Sequence, residues 1–561
     1  MRSLWNKITG QSKGQSDNQQ ANIQQQMAPD LQYNMNNFQD DYGQEENYPD
    51  VSHTQNERLA EDVVESQTQA GLPQKNTTKS DKYNAINLSD LMSLSLELAK
   101  SKIKLSATEQ HHVVKVSISE TKLDEIEKQL AEDDTENDAT LDVFAVIDRS
   151  GSMYGPRLNN VKKSLIYLLD LLKPTDRISI IIFDNNAETL LAPKLVGKSR
   201  DLIEQAINSI QDRGSTDIRS GLVSAFEGML KRKSKNQVTG VLLLSDGQDN
   251  QYFRKGGAIV DAFFEQWSSQ LKDHEHTVHT FGYGDDHDET LLDQIAKCKG
   301  GNFYYVKELE LVSENFIDCL GGLSSVIGQN ATIRINLKAQ GMFPEIRFKK
   351  TFGAMWSGEK ETERTISFGN ITKGVAKDFI FEITLPASKD TDALESGYHI
   401  CKLIEATFSA ENLEGTNFQK VETLSVEIHN ESEDIEIVEN IEVKKHFLRV
   451  RGSEAIEEAQ IKSNAHDYQS GELLLCCMED ELAQYGDDKV LTNLRTNISK
   501  QKKAIIQTSK GEDCGMNMKA FSKNMCNTYA MQECAPAFCS DLYENSTKGK
   551  MQTRLAKRKG G

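Results

Sequence analysis

The chain has 561 residues, a formal net charge of −20 and a sequence pI near 5.2. Such an acidic protein repels nucleic acid and anionic membrane surfaces, so we expect neither as a partner. The sequence contains no run of about 20 apolar residues that could span a membrane. It also lacks the apolar N-terminal stretch of a signal peptide, and all nine cysteines follow residue 297, which favours reduced thiols and an intracellular, cytoplasmic location.

Two segments precede the first clear fold pattern. Residues 1–82 are rich in Asn and Gln and poor in branched apolar residues, which predicts a disordered tail. Residues 83–139 form a lead-in, in which Ser89–Lys102 carries leucines that we interpret as helical and His112–Ser119 alternates like a strand.

Residues 140–328 have the pattern of an α/β domain. Continuous apolar runs such as Val143–Ile147, Arg177–Phe183 and Val238–Leu244 are typical of strands buried on both faces of a parallel sheet. Helical stretches separate these runs. The alternation predicts a doubly wound, mostly parallel sheet of the Rossmann-like class.

The remainder of the chain has first the pattern of a β-rich domain and then that of a helical one. Residues 329–440 contain short strands punctuated by glycine and polar turns, which predicts an antiparallel β-sandwich. Residues 441–510 predict a small helical hairpin, and residues 511–561 form a cysteine-containing segment with a basic tail. A zinc site is not favoured in this last segment, because no CxxC pair occurs among Cys514, Cys526, Cys534 and Cys539.

Polar residues follow the strands of the predicted parallel sheet. Asp148, Ser150 and Ser152 come directly after the first strand, Thr216 lies in a loop that enters a helix, and Asp246 follows a later strand. Ligands bind outside the carboxyl ends of such strands, so these side chains should converge. Two carboxylates and three hydroxyls suit octahedral Mg²⁺ (or Mn²⁺) and leave a coordination position open. The sequence therefore predicts a divalent-metal site that a carboxylate of another protein can complete.

The Asp-x-Ser-x-Ser pattern at 148–152, the later Thr216 and the Asp-Gly pair at 246–247 resemble the von Willebrand factor type A (VWA) domain with its metal-ion-dependent adhesion site. The resemblance covers about residues 140–325, and Phe281–Gly284 is similar to the intracellular and inter-alpha-trypsin-inhibitor-like branch. It implies that Ser150, Ser152 and Thr216 are direct or near-direct ligands and that Asp148 and Asp246 bind through water. It also implies that the last helix of the domain, near Leu309–Leu323, shifts when affinity changes.

The segments after this domain resemble the C-terminal region of plant and protist VWA proteins, some of which carry a RING zinc finger. No cysteine precedes Cys298 in this chain, so an N-terminal RING is absent and ubiquitin-ligase activity is not supported.

We therefore predict a non-enzymatic protein-interaction or scaffold protein, in which the metal site captures an acidic side chain of an unidentified partner. Tyr154, Asp217, Asp286 and His287 are candidates for the rim that touches this partner. One alternative is a ubiquitin-pathway adaptor related to RING-VWA proteins. Another is a metal-dependent hydrolase, although the sequence offers no nucleophile with an adjacent base and no glycine-rich phosphate loop.

Overall fold

The computed structural model describes residues 88–120, 138–253, 257–284, 287–306, 309–338, 342–353, 355–395, 397–485, 488–512, 517–532, 548–549 and 551–553. Several predictions concern residues outside these ranges. They are the disordered tail 1–82, most of the basic tail, the rim candidate Asp286 and the cysteines Cys514, Cys534 and Cys539.

The first described elements are a short helix and three strands: α1 (Leu88–Leu91), β1 (Met92–Leu98), β2 (Lys102–Lys104) and β3 (Gln110–Glu120). The helix predicted over Ser89–Lys102 is therefore wrong, since β1 pairs antiparallel with β3. Leu94, Leu96 and Leu98 lie two residues apart, which is the period of a strand, and Leu94 and Leu98 are buried.

An α/β layer follows between residues 141 and 324. Its elements in chain order are β4 (Leu141–Asp148), α2 (Pro156–Leu171), β5 (Arg177–Phe183), β6 (Ala187–Leu195), α3 (Val196–Ser209), α4 (Ile218–Lys231), β7 (Val238–Ser245), α5 (Gly257–Ser268), β8 (Thr277–Tyr283), α6 (Glu289–Lys297), β9 (Phe303–Val306) and α7 (Leu309–Ser324). The sheet order is β6-β5-β4-β7-β8-β9, and every neighbouring pair is parallel except β5 and β6. Every residue of β4 and β7 is buried, as the continuous apolar runs predict.

The edge strand β6 is absent from the sequence-based prediction. Most of its residues are exposed or half-buried, and it contains Pro193, so it lacks the apolar run that marks the central strands. Proline has no backbone N–H to donate. It is tolerated in an edge strand because one side of that strand has no neighbouring strand that needs a donor.

Two packed sheets form the predicted sandwich. The later strands are β10 (Val326–Leu337), β11 (Arg347–Thr351), β12 (Trp356–Ser357), β13 (Glu363–Thr372), β14 (Lys377–Leu385), β15 (Tyr398–Asn412) and β16 (Asn417–His429). One sheet has the order β1-β3-β14-β11 and the other β12-β13-β10-β15-β16-β2. All pairs are antiparallel except β2 with β16. The sandwich thus takes strands from both sides of the α/β layer in the chain.

A helical region closes the described fold, with α8 (Ile441–Asn464), α9 (Tyr468–Leu482), α10 (Lys489–Ser509) and α11 (Met518–Met531). Three helices occupy the range in which the sequence predicts a hairpin of two. Farther along, Lys548 forms a buried ion pair with Asp318 of α7, and Met551 joins the core of the α/β layer. The order of a mostly parallel sheet, antiparallel sheets and a helical region confirms the predicted fold class. Within the described ranges, no helix combines the length and apolar character needed to cross a membrane.

Candidate metal centre

The first loop of the candidate site leaves the buried strand β4 at Asp148. It continues through a single 3₁₀ turn, Gly151–Met153, and then enters α2. Gly155 has a φ of 72°, a conformation that a residue with a Cβ adopts at a cost, and Pro156 then occupies the first turn of the helix. Local geometry therefore brings Ser150 and Ser152 back beside the strand end.

Asp148, at the start of this loop, is oriented by two hydrogen bonds. Its Oδ1 accepts a hydrogen bond from the Ser150 backbone N–H at 2.8 Å, and its Oδ2 accepts one from the Ser245 hydroxyl at 2.5 Å. The Ser150 and Ser152 hydroxyl oxygens lie 3.0 Å apart. Three of the five predicted donors are therefore fixed within one short loop.

Backbone hydrogen bonds tie this loop to the second loop, and the second loop to the third. The Gly151 N–H donates to the Gly214 carbonyl at 3.0 Å, which brings the Thr216 segment beside the first loop. The Asn250 N–H donates to the Thr216 carbonyl at 3.0 Å, which brings the Asp246 segment beside the second. The hydrogen bond between Ser245 and Asp148 connects the third loop to the first. Each of the three loops that carry the predicted donors is therefore bonded to the other two.

The two predicted carboxylates are buried and repel each other. Asp148 and Asp246 have no solvent exposure. Burial, together with repulsion from Asp246, raises the pKa of the Asp148 carboxyl to about 7. The cation nearest to Asp246 in the described structure is Arg157, whose Nη1 lies 3.4 Å from Oδ2 and 3.2 Å from the Ser152 carbonyl. The candidate site is therefore lined by oxygen atoms, and the single nearby guanidinium offsets only part of the negative charge of the two carboxylates.

Sequence reasoning did not identify Arg157 or a hydrogen-bonded network around Asp184, which is buried although its partner Arg213 is exposed. In that network, Arg149 and Arg213 both donate to Asp184 Oδ2, at 2.8 and 2.9 Å, and the Asp217 N–H donates to the Asp184 carbonyl. Asp184 follows β5 directly, so the strand-end rule that singled out Asp148 and Asp246 would also have found it. Arg157 has no such signal, because its contact with Asp246 depends on the packing of α2 against the third loop.

The predicted rim residues have different environments. Tyr154 is 72% exposed, as a contact residue should be. Asp217 is half-buried and caps α4 by accepting a hydrogen bond from the Ser220 N–H. His287 is buried: its Nδ1 lies 2.6 Å from the Gly284 carbonyl and its ring stacks on Tyr305. In this conformation His287 belongs to the packing beneath the rim and is not available to a partner.

The donor set fits a hard divalent cation by its chemistry. Among the described residues, no group of three or more His, Cys, Asp or Glu side chains is placed to hold a metal ion. The predicted set contains only two such side chains, since Ser150, Ser152 and Thr216 contribute hydroxyls. Two buried, mutually repelling carboxylates beside these hydroxyls favour Mg²⁺ or Mn²⁺ over softer metals.

Comparisons with known proteins agree with this architecture. Residues 142–317 match the von Willebrand factor type A domain. Protein sll0103 of Synechocystis sp. is 30% identical over 212 residues, which cover 37% of this chain and 47% of that protein. Human inter-alpha-trypsin inhibitor heavy chain H4 is 28% identical over 167 residues, which cover 28% of this chain and 17% of the heavy chain.

A solved structure described as a von Willebrand factor type A protein from Catenulispora acidiphila matches with a TM-score of 0.53 at 15% identity. The match covers 72% of this chain and 89% of that one, so the likeness of fold extends beyond the α/β layer. The chain spans less than half the length of the two relatives named above. None of these three names indicates a RING-containing protein, so they lend no support to the ubiquitin-pathway alternative.

Proposed function

We propose that this chain, a VWA-domain protein distantly related to the inter-alpha-trypsin inhibitor heavy chains and to bacterial sll0103, binds a divalent cation and through it an acidic side chain of a partner protein. VWA domains are typically protein-interaction modules. The observation that carries the proposal is the pair of buried carboxylates, Asp148 and Asp246, beside the Ser150 and Ser152 hydroxyls at the carboxyl edge of the sheet.

The chain's own residues would prepare this site in advance. The hydrogen bonds from Ser150 and Ser245 orient Asp148, so its carboxylate loses little freedom when a cation binds. Ser150, Ser152 and Thr216 would act as direct or near-direct ligands, and Asp148 and Asp246 would bind through water. The cation, when bound, supplies a coordination position that an incoming carboxylate can occupy.

The surroundings of the site favour a protein partner. Tyr154 presents an exposed aromatic ring two residues after Ser152, and aromatic residues are enriched in protein interfaces. Arg157 lies beside Asp246 and is partly exposed, so its guanidinium can add a second positive contact for a partner carboxylate.

We propose binding and not catalysis at this site. The Ser150 and Ser152 hydroxyls contact each other, which differs from the pairing with a base that activates a serine nucleophile. His287, which the sequence places near the rim, is buried and directs Nδ1 to the Gly284 carbonyl.

Isothermal titration of the full chain with Mg²⁺ and Mn²⁺ tests the metal site. We expect saturable one-to-one binding that Thr216→Ala weakens strongly. Thr280→Ala is a matched control, because Thr280 is also buried but donates to the Leu292 carbonyl. Equal affinities of the two variants and the wild-type chain would contradict the assignment.

Selection of random displayed peptides on the Mg²⁺-loaded chain, with elution by a chelator, tests the carboxylate partner. We expect the eluted peptides to be enriched in Asp or Glu and to lose binding to Thr216→Ala. Enrichment without acidic residues would overturn carboxylate capture while leaving the metal site intact.

A further inference from the structure

A cavity of about 880 Å³ lies where the α/β layer, the sandwich and the helical region meet. It is far larger than a packing defect and falls within the roughly 300–1,000 Å³ range of sites that hold small organic ligands. Such sites also occur preferentially at junctions between modules. None of the predicted metal ligands lines it.

Aromatic and aliphatic side chains form much of its wall. The sandwich contributes Phe352, Trp356, Phe368 and Phe379. Helix α8 also contributes to the lining with residues 449, 450, 453, 454 and 457, which share one helical face, and its Val450 packs with Phe352 of the sandwich. An apolar or aromatic body in the cavity can therefore contact both the sheet and the helix.

The acidic residues of the wall are mostly compensated, including Asp378, which accepts a hydrogen bond from the Ser117 hydroxyl at 2.5 Å and lies 3.8 Å from the Lys115 ammonium. Glu454 pairs with Lys350 at 2.7 Å, and Glu457 pairs with Lys523 at 3.0 Å. Asp261 accepts hydrogen bonds from Gln294 and Cys298. Burial raises the pKa of Glu275, which favours its neutral form.

Arg449 differs from these groups. Its side chain is 1% exposed and lines the cavity. One terminal nitrogen donates to the Tyr529 carbonyl and the other to the Asp378 carbonyl at 2.8 Å. Among the described residues, the Nε–H has no acceptor and the guanidinium has no carboxylate partner. A buried charge without a counter-ion is costly. The Arg449 guanidinium would therefore be stabilised by an anion bound in the cavity.

We propose that the cavity binds a small amphipathic organic anion, whose charged head meets Arg449 and whose apolar body lies against Phe368 and Phe379. The charge of the ligand completes the Arg449 pair, and its body fills the aromatic part of the wall. This inference is independent of the proposed metal centre.

The fluorescent anion anilinonaphthalene sulfonate, added to the full chain in the presence of a chelator, tests the site. We expect saturable one-to-one binding, displacement by laurate, and displacement by dodecylamine that is at least about tenfold weaker, since hydrogen bonds to charged groups carry this much affinity. Equal displacement by the amine, or the absence of saturable binding, would overturn the proposal.

Two variants locate the binding. Arg449→Met should weaken the probe by about tenfold or more while keeping the aromatic wall. Because removal of a buried arginine can disturb folding, Ser367→Trp provides a second test: Ser367 is exposed at the cavity and a larger side chain there should block entry. Val421→Trp, at an exposed position of β16 outside the lining, is the matched control and should bind like the wild-type chain. Wild-type binding by Ser367→Trp would place the probe elsewhere and refute the assignment.

Discussion

Ser245, the last residue of β7, donates a hydrogen bond of 2.5 Å to Oδ2 of Asp148, the last residue of the neighbouring strand β4. The Gly247 N–H donates in turn to the Ser245 hydroxyl at 2.9 Å. Both side chains are fully buried. One hydroxyl therefore connects the first and third loops of the candidate metal centre and fixes the orientation of a carboxylate.

At a pH well above 7, where the Asp148 carboxyl is ionised, Ser245→Ala should lower the free energy of unfolding by about 2 kcal/mol, because a hydrogen bond to a charged group contributes roughly 1.5–3 kcal/mol. Urea unfolding followed by circular dichroism measures this loss. Ser179→Ala is the matched control, since Ser179 is also buried but donates to the neutral Leu191 carbonyl at 2.8 Å. We expect a loss of about 1 kcal/mol for the control. A larger loss for Ser179→Ala than for Ser245→Ala would argue against a special role for the link.

Arg157→Gln should strengthen Mg²⁺ binding by up to about fivefold, because a partly exposed ion pair of this kind contributes at most about 1 kcal/mol. The Arg157 guanidinium now offsets part of the Asp246 charge that would attract the cation. Calorimetric titration of the full chain checks the change. Arg213→Gln removes another positive charge near the site, but one that pairs with Asp184, and it should leave the affinity close to that of the wild-type chain. Weaker binding by Arg157→Gln would show that this arginine supports the metal site.

Lys548→Met should destabilise the chain by about 3 kcal/mol or more, because it removes the cation of a buried ion pair. The Lys548 ammonium lies 2.5 Å from Asp318 Oδ1, and the Tyr304 hydroxyl donates to Asp318 Oδ2 at 2.9 Å. Replacement of both charged residues, as Lys548→Met with Asp318→Leu, should restore part of the loss. A double-mutant cycle by urea unfolding gives the coupling. Additive losses would mean that the pair contributes no coupling.

Acid should destabilise the chain through buried histidines, among them His276. Burial lowers the pKa of His276 from its ordinary value of 6.5 to about 4. Between these values the unfolded chain binds a proton that the folded chain does not, so the contribution of His276 to stability is fully present above pH 6.5 and is lost as the pH decreases towards 4. The loss is on the order of 3 kcal/mol for one histidine.

His276→Phe should remove one part of this pH dependence, measured as the slope of unfolding free energy against pH between 4 and 6.5. His112 and His446, whose pKa values burial also lowers to about 4, should maintain the remainder. His399→Gln, at an exposed position of β15, is the control and should keep the wild-type slope. An unchanged slope in His276→Phe would mean that His276 is not a source of the acid sensitivity.

The sequence predicts the central sheet well because burial on both faces leaves a continuous apolar run, as in β4 and β7. It fails for β1, where the leucines favour a helix over Ser89–Lys102 although their spacing of two residues also fits a strand. It also omits β6, whose exposure removes the apolar signal. A strand can thus be predicted from its apolar pattern where both of its faces are buried, and much less well where burial varies along the strand.

Within the candidate site, strand ends place the predicted donors close together, since Asp148 is the last residue of β4 and Asp246 follows the adjacent parallel strand β7. Other contacts at the site cannot be predicted from the spacing of residues along the chain. Arg157 reaches Asp246 only after α2 has packed, and His287 is withdrawn from the surface because its ring packs against Tyr305. These relationships arise from tertiary packing and have no local pattern.

The α/β layer is an insertion within the sandwich: β1 to β3 precede it, and β10 to β16 follow it. Its two ends lie together, because the Ala139 N–H donates to the Ser324 carbonyl at 2.9 Å. Along the chain, β3 belongs to one sheet and β10 to the other. A mechanical pull on the inserted α/β layer would therefore be divided between two chain connections, one to β3 and one to β10, which meet the layer at neighbouring positions. Each of the two sheets would therefore bear part of the load.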